Sequence, residues 1–197
     1  MKKDVYVFRH GQTDMNLFGI WQGSGSDAEL NDNGKKQVEM LADKARWLGL
    51  EKLYCSPLLR AVQTANRISQ KSLNGLDIVI MQDLREINFG DCEGQKDEVV
   101  RTRYGGVFIQ NFLWPTKETW HRAFANGENK HSVFIRVLDC LKRAVEEKEK
   151  TIGVVCHAGV ISSLSCGLGL KNVCYDNCAI LHLIYDTETG YFSQETD

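Results

Sequence analysis

Three apolar runs of this chain end in residues that carry chemistry. In VYVFRHG, residues 5–11, a strand-like stretch stops at Arg9 and His10, side by side and followed at once by glycine. KLYCSPLLR, residues 52–60, stops at Ser56 and Pro57 and brings Arg60 one helical turn later, while TIGVVCHAG, residues 151–159, stops at His157. A desolvated guanidinium is costly unless an anion or an acid meets it, so a buried strand normally finishes in neutral turn residues. Taken singly, each residue has a plain structural reading. A histidine at a strand end is more often a satisfied structural group than a catalyst, Arg60 is compatible with a solvated helix charge, and Arg9 with a pair to any nearby acid. Gathered in a partly dry cleft, these cationic groups would repel, and a multiply charged anion is what makes the gathering favourable. Phosphate fits best: arginine offers planar two-pronged donors, and a helix after His157 adds backbone N–H groups and a positive dipole end.

Such a convergence needs a scaffold that ends several strands on one edge. Strand-like and helical patterns alternate along the sequence, which predicts an α/β protein of three layers, α/β/α, around a mostly parallel sheet, as a single domain over residues 1–197. Strands are expected at 5–9, 52–56, 76–81, 151–156 and 178–186, the last closing the sheet as an inner or near-edge strand. Asn31 caps a helix carrying Val38, Leu41, Ala45 and Leu48 that stops at Gly49. Ser56 and Pro57 open the next, as capping hydroxyl and first-position proline, with Ala61, Val62, Ala65 and Ile68 turned inward. A long amphipathic helix is expected over about 132–148, and a short one after His157 ending in glycine. Residues 88–130 break the rhythm, with Tyr104, Phe108, Phe112, Trp114 and Trp120 in no clean period, as in a small inserted cap. Ligands of open parallel α/β sheets settle beyond the carboxyl ends of the strands. Arg9-His10, Ser56-Pro57 and His157 all fall there, with Arg60 about 5 Å along its helix.

The bulk composition narrows the partners. The 197 residues are 43% hydrophobic and 25% charged with two prolines, an ordinary globular balance. A net charge of −2 offers no whole-chain attraction to nucleic acid or an acidic membrane, so any anion site is local. The apolar run behind Lys2 and Lys3 stops at Arg9, short of a secretory signal, and no stretch approaches the roughly 18 apolar residues of a membrane span. Seven cysteines, an odd number, several in apolar contexts, point to a reducing cytoplasm. Cys174 and Cys178 lack the second Cys/His pair of a zinc finger.

The motifs FRHGQT followed by Asn16, SPLLRAVQTA around Arg60, LREINFGDCEG around Glu86 and VVCHAGVISSL around His157 occur in this order over nearly the whole chain, the similarity being weakest at about 97–130. In this respect the sequence resembles the histidine phosphatase superfamily, which includes the cofactor-dependent phosphoglycerate mutases. The resemblance implies that His10 attacks phosphorus to give a phosphohistidine, and that Arg9, Arg60 and His157, the last as imidazolium, bind the non-bridging oxygens. It implies that Glu86 protonates the leaving alcohol and then deprotonates water. Asn16, Thr13, Gln22, Gly23 and Ala158 would add contacts to phosphate or substrate. No metal or dissociable cofactor is implied. On its own, Glu86 reads better as a loop charge paired with Arg85; beside the other motifs it falls where the family's proton donor is expected, and Glu93 reads as a structural partner.

The family divides on the acceptor of the phosphoryl group. REINFGDCEG resembles its phosphatase branch, and NGEN, residues 126–129, resembles the GES turn of broad-range bacterial phosphatases and α-ribazole phosphatases. The expectation is therefore a metal-independent phosphomonoesterase acting on a small phosphorylated metabolite, with mutase-type transfer and noncatalytic phosphoester binding as alternatives. One departure stands out: SGSDAEL, residues 24–30, lacks the basic residue and the proline common in the family. A second anionic group on the substrate loses a partner there. Phe112, Trp114, Trp120 and Phe124 form either an apolar wall around the alcohol or a satellite core under the cap. The oligomeric state is open, a dimer included.

Overall fold

The computed structural model describes residues 1–73, 75–171 and 173–195. Strands β1 (Lys2–Arg9), β2 (Lys52–Cys55), β3 (Ile78–Ile80), β4 (Thr151–Cys156), β5 (Ile180–Asp186) and β6 (Tyr191–Gln194) form one sheet in the order β3-β2-β4-β1-β5-β6. β3, β2, β4 and β1 run parallel, and β5 and β6 add an antiparallel flank. The helices are α1 (Asp14–Leu17), α2 (Asp32–Ala45), α3 (Leu59–Lys71), α4 (Asp97–Tyr104), α5 (Gly106–Leu113), α6 (Lys130–Val145) and α7 (Ala158–Leu168).

Alternation along the central strands builds two cores. Val5 and Val7 of β1, with Ile152, Val154 and Cys156 of β4, pack with α6 and α7. Phe8 and Val155 project to the other face and pack with Leu41, Ala42 and Ala45 of α2 and Ala61, Ala65 and Ile68 of α3. The result is the expected three-layer α/β/α arrangement. Parallel register decides what happens at its edge. Arg9 pairs with Cys156 and Cys55 with Val155, so β1, β2 and β4 end nearly level, and residues 10, 56 and 157 leave the sheet side by side.

Several element boundaries differ from the sequence expectation. α3 begins at Leu59, not at Pro57, and Leu58 at its N-cap makes no side-chain capping bond. Its first turn is instead capped from a distance, by Asp27 Oδ1 accepting the Leu59 N–H at 2.6 Å, while the Ser56 hydroxyl accepts from the Leu58 N–H at 3.3 Å. α2 has the expected Asn31 cap, accepting from the Gly34 N–H at 2.8 Å, but ends at Ala45, and Gly49 closes a following turn at φ +68°. β5 lies inside the sheet as expected but does not close it: β6, four residues long and directly after the Thr187–Gly190 turn, takes the edge. α6 starts two residues before the expected Ser132, capped by Asn129.

Between β3 and α6, where the sequence has no clean period, α4 and α5 meet at Gly105, whose φ of +80° breaks them apart. The aromatics there have separate fates. Phe112 and Phe124 are 1% and 2% exposed and pack with Trp21, Phe89 and Phe108, not as a separate satellite but continuous with the core of β1, β4, α6 and α7. Trp120 packs on Phe134 and His131, and Trp114, 59% exposed, stands against Tyr175. No helix among the described residues is long and apolar enough to cross a membrane.

Candidate active site

His10 is the first residue after β1, and its backbone is held by neighbours from two other segments. Its N–H donates to the Cys156 carbonyl at 3.1 Å, and its carbonyl accepts from Asn177 Nδ2 at 3.1 Å. The ring is 2% exposed. Its Nδ1 lies 2.6 Å from the Gly11 carbonyl, which can only accept, so Nδ1 carries the proton and Nε2 the lone pair. Burial, then the charges of Arg9 and Arg60, push the imidazole well below its ordinary pKa, against the Gly11 hydrogen bond. The ring is therefore neutral with its nucleophilic nitrogen defined.

Arg60, 1% exposed, reaches back from the first turn of α3. Its Nε donates to His10 Nε2 at 3.3 Å, and its two terminal nitrogens donate to the Ser26 and Gly23 carbonyls at 2.7 and 2.9 Å. Arg9 donates through Nη1 to the Tyr175 carbonyl. His157 is fully buried, its ring centroid 5.1 Å from that of His10, with Nε2 2.7 Å from Ser56 Oγ. Burial, then Arg60, His10, Arg9 and Arg136, push its pKa well down. The expected imidazolium thus requires an anion beside it. Among the described residues four buried side-chain polar atoms lack a partner, and three of them, Arg9 Nε, Gln22 Oε1 and His157 Nδ1, belong here. Orphans of this kind are rare in folded proteins, and their concentration marks a place built for a polar ligand.

Glu86 enters the site from the loop that follows β3. It is 6% exposed, with Oε1 accepting from the Ile87 N–H at 2.9 Å and Oε2 from the Gly159 N–H at 3.1 Å at the start of α7. One of the N–H groups expected to face an anion is thus taken by Glu86. Arg136 of α6 fixes the loop that carries it, donating to the carbonyls of Asp83, Arg85 and Glu86 at 2.5, 2.9 and 3.2 Å. The same guanidinium holds both oxygens of Glu128, from the NGEN turn, at 3.1 and 3.0 Å. Burial pushes Glu128 up, but Arg136 and the Asn88 N–H outweigh it and hold the carboxyl below its usual range. Glu93 accepts from the N–H groups of Ser24, Gly25 and Phe89, the structural part expected of it.

A cavity of about 420 Å³ opens over this constellation, although His157, fully buried, does not itself line it. Arg9, His10, Arg60, Glu86, Asn16, Gln22, Gly23 and Ala158 all line it. Thr13 does not. Its fully buried hydroxyl accepts from the Asn16 N–H at 3.2 Å in a capping box, so it orients Asn16 and is spent as a direct ligand contact. Of the aromatic wall, Trp114 lines the cavity together with Trp21, Phe89 and Tyr175, whereas Phe112, Trp120 and Phe124 do not. Sequence reasoning missed Ser56 as the partner of His157, Arg136 as the clamp, and Lys130, a buried lysine on the cavity wall. Only a lysine in the first turn of a helix, the unfavourable end for a cation, was there to be noticed.

The arrangement brings a neutral, oriented imidazole, two guanidinium groups and a carboxyl to one cavity, which suits attack on phosphorus with a proton supplied to the departing oxygen. The sequence profile of the Histidine phosphatase superfamily (branch 1) matches residues 5–196. The chain is 29% identical over 165 residues to phosphoserine phosphatase 1 of Hydrogenobacter thermophilus, covering 83% of this chain and 75% of that protein. It is 32% identical over 190 residues to agropine synthesis reductase of Rhizobium rhizogenes, covering 91% of this chain but spanning only 39% of that longer protein. The solved native structure of mycobacterial glucosyl-3-phosphoglycerate phosphatase superposes with a TM-score of 0.84 at 22% identity, covering 100% of this chain and 98% of that one. By profile, by relatives and by fold, this chain belongs to the histidine phosphatase superfamily.

Proposed function

We propose that the protein is a phosphomonoesterase that hydrolyses a small phosphorylated metabolite through a phosphoryl group carried on His10. The observation that carries this is the state of His10: buried, held neutral and fixed as the Nδ1–H tautomer, so that Nε2 offers its lone pair where two arginines converge. In the first step Nε2 bonds to phosphorus as the ester P–O bond breaks, and Glu86 gives its proton to the departing alkoxide. In the second, Glu86 takes a proton from water as the water oxygen bonds to phosphorus. The P–N bond then breaks, releasing orthophosphate and restoring His10. Arg9, Arg60 and His157 bind the non-bridging oxygens where transition-state charge sits, and the anion beside His157 opposes the burial that lowers its pKa. Asn16, Gln22, Gly23 and Ala158 border the same space and complete the contacts. Acid–base help from Glu86 is worth about 10²–10⁴ in rate.

The similarity to a phosphoserine phosphatase supports hydrolysis over mutase-type transfer. We read residues 1–197 as one domain in which the segment at about 88–130 is a cap that selects the alcohol. Seven free cysteines suit a reducing cytoplasm. The test is turnover of p-nitrophenyl phosphate in excess EDTA, with acid quenching to trap an acid-labile phosphoryl group on His10. We expect turnover to continue and His10→Ala to abolish it. Binding without turnover points to a scaffold, EDTA sensitivity to a metal enzyme, and an active His10→Ala variant removes the mechanism.

A further inference from the structure

Lys130 stands in an environment that stability alone disfavours. It is the first residue of α6, where the helix dipole opposes a cation, and it is 2% exposed. Its Nζ donates to Ser162 Oγ at 2.6 Å, and Ser162 passes its own proton to the Gly159 carbonyl at 3.1 Å, so the serine acts only as acceptor. The Phe112 ring lies 5.1 Å from Nζ. Among the described residues no carboxylate comes within 4.0 Å of this ammonium. Burial brings its pKa down to about 8, with Glu86 and then Cys166 acting against the shift, so the group remains mostly cationic at neutral pH. An ammonium with two unused N–H groups thus forms part of the cavity wall.

Its place in the wall says which part of a substrate it meets. Counting from His157 at the N-cap of α7, Gly159 holds Glu86 through its N–H, and Ser162, about one turn further from the histidines, holds Lys130. Glu86 therefore separates the phosphoryl cradle from the lysine, and the lysine faces what lies beyond the scissile oxygen. The 24–30 loop, with Asp27 and Glu29 and no basic residue, supplies no cation for that part of a substrate. A single ammonium with two free donors matches one negative charge on two oxygens, whereas a second phosphate dianion would leave buried charge uncompensated. Resting on the phosphomonoesterase reading, we propose that Lys130 is a specificity-determining residue that binds a carboxylate on the alcohol portion of the substrate.

The matched esters 3-phosphoglycerate and glycerol 3-phosphate differ only in carboxylate against hydroxymethyl. The wild-type protein is expected to favour the carboxylated ester in kcat/KM by about tenfold to a hundredfold, the range of a buried charge-assisted hydrogen bond, and Lys130→Met to bring the ratio close to one. Lys130→Gln, which keeps a donor for Ser162, is expected to do the same. A purely structural lysine would lower both rates together and leave the ratio alone. Calorimetric titration of both esters into His10→Asn protein reads the ratio without turnover. Absence of p-nitrophenyl phosphate hydrolysis by the wild type therefore defeats the hydrolase reading, while the binding ratio still decides the role of Lys130. No preference in the wild type, a preference that survives both substitutions, or failure of both variants to fold overturns the inference.

Discussion

One added methyl group at Gly159 tests whether Glu86 acts from where α7 holds it. Gly159 is the second residue of α7, and its N–H is one of two that fix the Glu86 carboxylate. A Cβ at this position would lie 2.3 Å from Glu86 Oε1 and 2.5 Å from Ile87 Cγ2, against an ordinary contact of 3.4 Å or more. The carboxylate therefore has to retreat by about 1 Å, a misplacement that costs on the order of 10²-fold in rate. Alanine in place of glycine favours the helix by about 0.5–1 kcal/mol, which offsets the local crowding. In Gly159→Ala, kcat/KM for an alkyl phosphate such as glycerol 3-phosphate should fall about 10²-fold with little change in melting temperature. With p-nitrophenyl phosphate, whose leaving group departs without a proton, the loss in kcat/KM should be much smaller, because that parameter reports only the steps through transfer to His10. Equal losses for the two esters, or no loss for either, would refute Glu86 as the proton donor.

Arg136→Met strips three loop carbonyls of a donor and leaves Glu128 charged with the Asn88 N–H alone. Chemical denaturation should show a loss of about 3 kcal/mol, partly recovered by adding Glu128→Gln. A double variant no more stable than the single one would remove the pairing argument. His10 and His157 are both held well below the ordinary histidine pKa of 6.5, first by burial. Below that pH the unfolded chain binds protons that the folded site refuses, so their contribution is complete above about pH 6.5 and lost as pH falls through the folded values. Melting temperature should drop between pH 7 and pH 5.5 and drop less with inorganic phosphate present; a rise on acidification would contradict the burial of neutral rings.

Much of the site was legible because strand ends announce themselves. An apolar run that stops at Arg9-His10 or at His157 places those residues on the carboxyl edge of a parallel sheet whatever the strand order, and Arg60 follows from the helix that leaves β2. Thr13 caps a four-residue helix and stays off the cavity, which the sequence does not reveal because a hydroxyl near a strand-end histidine reads the same in either position. The start of α3 was misplaced because its cap comes from Asp27, more than thirty residues earlier. In the 88–130 segment no period separates Phe112 and Phe124, which are buried in the main core, from Trp114, which borders the cavity.

By itself the sequence determined which polar side chains gather at the carboxyl edge of the sheet and the layered scaffold, since local periodicity and the residues that interrupt it are properties of neighbours in the chain. Tertiary structure alone decided that β4 lies between β2 and β1, that Ser56 meets His157, that Arg136 holds the Glu86 loop, and that Lys130 is enclosed at the cavity wall. The physical reason is that burial and charge pairing are set by segments far apart in sequence. A lysine opening a helix is the same letter in water or beside a substrate, and only the packing of α6 against α7 and α5 removes the water.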